Sequence, residues 1–353
     1  MLPVAAALAP CVVVLGATVR LADAGLSCPD WPGCYGALTV GGARATPPAE
    51  RERRWAGQPL DASRAHMEML HRYAAGSLGL LVLGVVVLGR RRPSMRIIGP
   101  ALLGLVVLQA LLGMWTVTLR LEPLVVTAHL LGGVSVLGLL CWLGLQARGA
   151  GPPGRPGPSP GTSPAPSRGA NRGLRRLAFA GLLLLAVQIA LGGWVAANHA
   201  TLACQGFPTC NGNWWPAADI ADGYAPLMGR FADAGMSGPG RIAIHWVHRL
   251  GAAGLLLVLG TLAALAGRRR RPAPVRRTGR VLGLLLLAQI GLGTAIVLAG
   301  APLALAAAHN AVASLLVMLL VTLVWQLGRS EPPVAALDDP YGEWRLAERG
   351  AGT

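Results

Sequence analysis

Four histidines within long apolar stretches are the residues of this sequence best suited to chemistry. Each lies about six or seven residues inside a predicted helix that starts on one side of a membrane. At 1.5 Å rise per residue, all four then lie roughly 9–10 Å below that surface. Two histidines at one depth on different helices can bind one iron from opposite faces, as in haem-binding four-helix bundles. The candidate ligand pairs are His71 with His129, and His248 with His309.

Two other interpretations of these histidines are open. A buried histidine can be a structural residue that bonds to a neighbour, and a group of histidines can hold zinc. The matched depth of all four favours function over structure, because ionisable residues within a membrane are usually functional. Neither pair has a clear third or fourth ligand at its level, which disfavours tetrahedral zinc.

Glu68 is a candidate catalytic residue because it precedes His71 by three positions and shares its helix face. A carboxylate within a membrane is costly unless it is paired or takes part in chemistry. His248 has His245 in the corresponding place, which is not acidic. We therefore predict acid/base chemistry beside the first histidine pair and a permanent redox cofactor beside the second.

Two arginines, Arg72 and Arg249, directly follow a candidate ligand. A guanidinium at this depth can pair with a haem propionate or extend to the lipid headgroups. Glu68 can also pair with Arg72 or Arg64, in which case the carboxylate only orders the entrance of the preceding loop.

Six cysteines are present, and four of them form two close pairs, Cys28 with Cys34 and Cys204 with Cys210. Each pair can close a structural disulfide on the oxidising side of a membrane, or act as a redox-active thiol pair that passes electrons. The two remaining cysteines lie alone in predicted helices and are expected only to pack. They are Cys11 and Cys141.

Eight apolar segments must position these residues. The chain has 353 residues, of which 53% are hydrophobic and 13% charged, a balance too apolar for a soluble protein. A spanning helix needs about 20 apolar residues. The predicted fold is an all-α integral membrane protein with eight transmembrane helices in two repeated four-helix bundles. The predicted helices are 2–19, 65–89, 97–118, 123–146, 175–197, 241–266, 280–299 and 302–327.

The net charge of +16 comes from arginine, since the sequence contains no lysine. The arginines form short runs between apolar segments, which is typical of cytoplasmic loops and argues against nucleic-acid binding. The basic stretches 90–96, 147–176 and 268–280 all fall on one side of eight spans. We therefore predict that both termini are cytoplasmic and that the cysteine loops lie outside.

Matching residues recur in the two halves of the chain at offsets of 176 to 180 positions. Segments 28–36 and 204–212 both read Cys, three residues ending in an aromatic, Pro, any residue, Cys, any residue, Gly. An internal duplication into parallel repeats explains this order. The other matches are 68–72 with 245–249, Gln109 with Gln289, and His129 with His309.

The predicted organisation follows from this duplication. Residues 1–148 form the N-terminal half and residues 175–328 the C-terminal half. A Pro- and Gly-rich cytoplasmic linker, 149–174, joins them, and 329–353 form a flexible cytoplasmic tail. His66 and His199 have no partner in the repeat and are expected at the surface.

Several of these motifs together resemble the haem A synthases, in their cysteine-containing bacterial form. The similarity covers nearly the whole chain, apart from the 41–64 stretch, the linker and the tail. The 41–64 stretch is expected to be irregular. It implies a protein of the bacterial plasma membrane. The motifs are 16–21 (GATVRL), 25–34 (GLSCPDWPGC), 68–72 (EMLHR), 188–193 (QIALGG), 207–210 (FPTC) and 245–249 (HWVHR).

The resemblance implies a specific reaction. Such enzymes oxidise the C8 methyl group of haem O to a formyl group by successive hydroxylation, which supplies haem A to haem–copper terminal oxidases. By resemblance, His71 and His129 would flank the substrate haem O with Glu68 in catalysis. His248 and His309 would hold haem B as cofactor. The implied partners are haem O synthase as haem donor, a membrane electron donor or acceptor such as the quinone pool, and oxidase assembly factors.

Two other classes of function are open. One is a di-haem b-type electron-transfer cytochrome linked to quinol, which has no need of a buried carboxylate beside only one haem. The other is a transporter or disulfide oxidase that uses the cysteine pairs, which predicts a protein without haem absorbance. The oligomeric state is open, with a homo-oligomer among the alternatives.

Overall fold

The computed structural model describes residues 1–149, 168–228 and 236–329. These residues form α-helices, one short 3₁₀ helix (Ala225–Met228) and no strand beyond an isolated bridge in each cysteine loop. Eight of the helices are long and apolar enough to cross a membrane, as predicted. In chain order the helices are α1 Leu2–Leu21, α2 Val40–Ala45, α3 Pro48–Arg54, α4 Ala62–Gly89, α5 Pro93–Thr118, α6 Pro123–Gly149, α7 Arg168–Ala197, α8 Ile220–Gly223, α9 Gly238–Ala266, α10 Ala273–Leu298 and α11 Leu303–Arg329.

Several spanning helices begin earlier than their apolar pattern predicts, because a polar first turn carries no hydropathy signal. The carboxylate of Asp61 caps α4 by accepting from the amides of Ser63 and Arg64, which starts the helix at Ala62. Helix α7 begins at Arg168, so residues 168–174, predicted as linker, are helical. Asn171 in this turn accepts a 2.7 Å hydrogen bond from Arg271, which ties it to the α9–α10 connection. The rest of the predicted linker and the tail after Arg329 lie outside the described residues.

The 41–64 stretch, predicted to be irregular, contains two short helices and the first turn of α4. Thr39 caps α2 by accepting from the amide of Gly42. Arg51 of α3 donates to the carbonyls of Ala43 at 2.9 Å and Thr46 at 2.6 Å, which fixes α3 against α2. The prediction was wrong because a polar, arginine-rich composition is also typical of a loop. It does not reveal that Arg51 bonds backbone carbonyls and so stabilises short helices.

The spanning helices pack in a pattern that repeats along the chain. Helices α1, α4, α5 and α6 contact one another in the first half, and α7, α9, α10 and α11 do so in the second. Across the seam, α6 packs on α11 and α7, and α11 packs on α1. Both halves have a leucine-rich interior, with Leu102 and Leu137 fully buried in the first and Leu282 and Leu320 in the second. The α1–α4, α5–α6, α7–α9 and α10–α11 connections share one side, here called the cysteine-loop side.

Candidate functional site

Each of the four candidate histidines packs against a glycine on the spanning helix that precedes its own. A Cβ atom added to any of these glycines would lie only 2.7–3.3 Å from Cε1 of the facing imidazole. Each imidazole therefore occupies space that is free only because the facing residue is glycine. The pairs are Gly16 with His71, Gly113 with His129, Gly192 with His248, and Gly293 with His309.

These glycines place the four histidines at one depth. Every one of them lies five residues before the last residue of its helix, which is Leu21, Thr118, Ala197 or Leu298. At 1.5 Å per residue that is roughly 7–8 Å below the helix end on the cysteine-loop side. The predicted depth depended on the starts of the histidine helices, but α4 and α9 begin earlier than predicted. The shared level is set by the glycines instead.

The histidines form two neighbouring pairs, one in each half of the chain. His71 lies close enough to His129 for their charges to interact, and His248 has the same relation to His309. We call His71 and His129 with their glycines the first site, and His248 and His309 with theirs the second site. Among the described residues, no group of three or more His, Cys, Asp or Glu side chains is arranged to hold a metal ion.

The imidazole Nδ1 atoms have the environment that iron-ligating histidines need. Nδ1 of His71, His129 and His309 is enclosed and makes no hydrogen bond of standard geometry within the described residues. The ring of each lies near the backbone of the residue four positions before its glycine, which is Val12, Gln109 or Gln289. A ligand histidine usually donates its Nδ1 hydrogen to a backbone carbonyl or a similar acceptor, which leaves Nε2 for the metal.

Glu68 anchors the first cysteine loop from beneath. It is 4% exposed, and its Oε2 atom accepts from the amide of Cys28 at 2.9 Å. Its Oε1 atom forms a 2.5 Å ion pair with Arg72. Arg72 also donates to the loop carbonyls of Asp30, at 2.8 Å, and Gly33. The carboxylate and guanidinium together hold the loop above the first site.

His245 and Arg249 hold the second cysteine loop in the same way. The amide of Cys204 lies 3.3 Å from His245 Nδ1, and Nε of Arg249 lies 3.4 Å from His245 Nε2. A neutral imidazole can accept only one of these hydrogen bonds. Arg249 donates to the carbonyls of Cys204 at 2.6 Å and Thr209 at 2.9 Å. The second loop is thus held mainly by the arginine.

These contacts bear on the alternatives for Glu68 and the two arginines. The ion pair of Glu68 with Arg72, which orders the loop entrance, is present in the structure. Both guanidiniums are turned towards loop carbonyls, neither of the two arrangements expected for them. A catalytic role for Glu68 and propionate contacts for Arg72 and Arg249 stay predictions.

Both predicted cysteine pairs are disulfides. Cys28–Cys34 and Cys204–Cys210 each have a Cα–Cα distance of 4.6 Å, and all four residues are at most 1% exposed. A thiol from another molecule cannot reach such enclosed sulfur atoms unless the loop moves, since exchange needs access to a sulfur. This burial favours the structural interpretation over the redox-active one.

Comparison with known proteins identifies the family. The model of the COX15-CtaA family, described as cytochrome oxidase assembly protein, matches residues 1–321. The chain belongs to this family. It is similar to a protein of Shewanella oneidensis named heme A synthase, with 38% identity over 88% of this chain and 91% of that protein. It is 30% identical to the heme A synthase of Methylobacterium radiotolerans, over 98% of this chain and 94% of that protein.

Electrostatics outside the spans stabilise the first loop of this family member. Burial raises the pKa of the Tyr35 phenol, whose hydroxyl donates to the carbonyl of Gln58 at 2.9 Å. Hydrogen bonds from the hydroxyl of Ser63 and nearby amides lower the pKa of the Asp61 carboxyl. Tyr35 therefore stays protonated and Asp61 ionised across the neutral range, which keeps both contacts intact.

Sequence reasoning missed Arg20, which joins the two halves on the cysteine-loop side. Its guanidinium donates to the carbonyls of Ala196 at 3.0 Å and Ala197 at 3.2 Å, at the end of α7. It also lies 3.3 Å from the ring of His199, which is exposed, as was expected of both His66 and His199. Arg20 stood in a recognised motif, but nothing in the sequence indicated that it reaches the other half.

Two smaller predictions can be compared with the structure. Cys11 was expected to pack in the interior and is exposed on α1, so that prediction was wrong. A cysteine in an apolar run gives no signal of which helix face it occupies. Cys141 does pack, with its sulfur 3.8 Å from the carbonyl of Met318 on α11.

Proposed function

We propose that this protein converts haem O to haem A for haem–copper terminal oxidases, by oxidising the C8 methyl group to a formyl group through successive hydroxylation. One observation carries the proposal. The chain belongs to a family with relatives named heme A synthase, and it encloses two histidine pairs at one depth against helix-terminal glycines.

The two sites have different roles in this proposal. His71 and His129 would hold haem O as the substrate, and His248 and His309 would hold haem B as the cofactor. Bound haem B would supply a one-electron redox centre. The close fit of each imidazole against its glycine and the enclosed Nδ1 atoms of His71, His129 and His309 support this use of both pairs.

Glu68 is the residue that we assign to proton transfer. The ion pair with Arg72 fixes its carboxylate three positions before His71, on the same helix face. A positioned carboxylate of this kind can take a proton from a reacting group. The second site has no carboxylate in this position, since His245 occupies it. The chemistry is accordingly assigned to the first site.

The surroundings of the protein are part of the proposal. Each helix contact within the first half has a counterpart in the second, which supports an internal duplication. We place the chain in the bacterial plasma membrane, with the disulfide loops outside and both termini inside. Haem O synthase would supply the substrate. The quinone pool or a similar membrane carrier would exchange electrons, and oxidase assembly factors would take the product.

Haem extraction from cells tests the function directly. The chain is expressed in a bacterium that lacks haem A and carries a haem O synthase, and the extracted haems are identified by mass. Haem A is expected only when both proteins are present. His71→Ala should abolish haem A while the purified protein keeps haem B, and His248→Ala should remove haem B. Two molecules of haem B in the purified protein without haem A formation would instead indicate the electron-transfer cytochrome.

A further inference from the structure

The four helices that present a glycine to a histidine share a short pattern. The pattern is five residues long and ends in Leu-Gly. Its first residue lies four positions before the glycine, so it shares the helix face of the glycine and lies next to the imidazole. That residue is glutamine in three helices and valine in the first. The four segments are 12–16 (VVVLG), 109–113 (QALLG), 188–192 (QIALG) and 289–293 (QIGLG).

In the second site, both histidines receive a side-chain contact from this position. The amide nitrogen of Gln188 lies 3.0 Å from Nδ1 of His248 and 2.9 Å from its backbone carbonyl. The amide nitrogen of Gln289 lies 3.1 Å from Nε2 of His309. Nε2 is the usual metal-binding nitrogen, so the Gln289 contact is lost when iron binds, whereas the side-chain oxygen of Gln188 can then accept the Nδ1 hydrogen of His248.

In the first site, neither histidine receives such a contact. Val12 has no polar atom to offer His71. The amide of Gln109 packs on Gly132 of α6, and its Nε2 atom is buried without a hydrogen bond among the described residues. The residue at the place of Gly132 in α11 is Val312, which carries a side chain where Gly132 has none.

A second glycine makes room for Gln188. A Cβ atom at Gly251 of α9 would collide with Oε1 of Gln188. That oxygen is buried and has no hydrogen-bond partner among the described residues. A side-chain amide can donate through nitrogen or accept through oxygen, so Gln188 can partner Nδ1 of His248 in either tautomer. In α4, Ala74 stands at the corresponding position.

We propose that Gln188 is a positioning residue that makes the second site retain its haem, whereas Val12 offers His71 no side-chain partner, so that the first site releases its haem. The inference rests on the proposed function, in which one haem is a resident cofactor and the other must leave as product. Partners of a ligand histidine fix its ring and raise its basicity, and their loss typically costs about 10–100-fold in metal affinity.

Haem loss from the purified protein to an excess of a haem-free globin tests the proposal. Gln188→Val should speed loss from the second site by about 10–100-fold. Gly251→Ala should act alike, because it displaces Gln188 without removing it. The double variant Val12→Gln with Ala74→Gly should slow loss from the first site. Gln109→Val is the matched control and should leave the rates unchanged, since the variant keeps the backbone carbonyl and the Gln109 side chain makes no hydrogen bond to either histidine.

A redox measurement separates positioning from packing. Gln188→Glu offers a carboxylate to Nδ1, which makes the imidazole more electron-donating and should lower the midpoint potential of the retained haem. A role in packing alone would leave the potential unchanged. The proposal is overturned if Gln188→Val and Gly251→Ala retain haem as long as the wild type, or if Gln188→Glu does not move the potential. A wild-type protein that binds no haem would refute the proposed function instead.

Discussion

The two cysteine loops are held by the same contacts but by different chemistry. In each, a residue about two turns into a spanning helix faces the amide of the first cysteine. An arginine four positions later donates to loop carbonyls. The first loop uses a buried ion pair, Glu68 with Arg72, at short distances. The second uses His245, whose contacts are 3.3 and 3.4 Å long. A carboxylate is therefore not required to hold such a loop, and its presence beside one site alone points to a further task.

Removal of Glu68 is expected to have the largest effect of any change at this pair of anchors. Glu68→Ala leaves the guanidinium of Arg72 buried and unpaired, which should cost about 3–5 kcal/mol of stability. His245→Ala removes only one long hydrogen bond and should cost about 1 kcal/mol. Thermal unfolding of the detergent-solubilised protein measures both.

Glu68→Gln separates the two tasks of this position. The amide still accepts from the Cys28 amide, so the variant should be more stable than Glu68→Ala, but it cannot take a proton. Haem A formation should be lost in Glu68→Gln and retained in His245→Gln. Haem A at wild-type levels in Glu68→Gln would limit Glu68 to anchoring the loop.

The disulfides test whether the loops are otherwise equivalent. Each joins cysteines six positions apart, so the entropy argument predicts the same loss, about 2 kcal/mol, for Cys28→Ser with Cys34→Ser and for the corresponding double variant of Cys204 and Cys210. Equal shifts in the unfolding temperature would support two structural disulfides. A loss of haem A from only one double variant, without a matching loss of stability, would favour a redox role for that pair.

The sequence predicted the eight spans well because they depend on strong, local signals. Eight long apolar runs can only be buried as helices in lipid, and histidines interrupt such runs for a reason. Helix starts were placed less well, since the capping carboxylate of Asp61 lies in a polar stretch without periodicity.

Contacts between distant segments could not be predicted. The bond from Arg20 to the end of α7 spans 176 positions and depends on how the two halves pack. The pairing of histidines with glycines is similar, because a Leu-Gly pair in an apolar helix is common. The one sequence signal for this pairing is that Leu-Gly recurs in all four helices that precede a histidine helix.

Arg20 offers a second contrast between the halves, since the corresponding position at the end of α7 is Ala196. Its guanidinium satisfies two carbonyls that the end of a helix leaves without partners. Arg20→Met should lower stability by about 1–2 kcal/mol, because hydrogen bonds from a charged group are lost. Arg20→Lys should recover only part of this, since an ammonium is not a planar fork. An unchanged unfolding temperature in Arg20→Met would show that solvent or lipid replaces the contact.

The smallest expected change in stability separates the two sites at their glycines. Alanine favours a helix over glycine by up to about 1 kcal/mol. The new Cβ would lie 2.7 Å from Cε1 of His71 in Gly16→Ala, but 3.2 Å from Cε1 of His248 in Gly192→Ala. At 2.7 Å the imidazole of His71 must move away. At 3.2 Å a shift of a few tenths of an ångström by the ring of His248 is enough to relieve the contact. Gly16→Ala should therefore lose haem A formation while the purified protein keeps haem B, and Gly192→Ala should keep both. A larger loss of haem A formation or of bound haem B in Gly192→Ala than in Gly16→Ala would contradict this prediction. It would mean that the imidazole is packed more tightly in the second site than in the first.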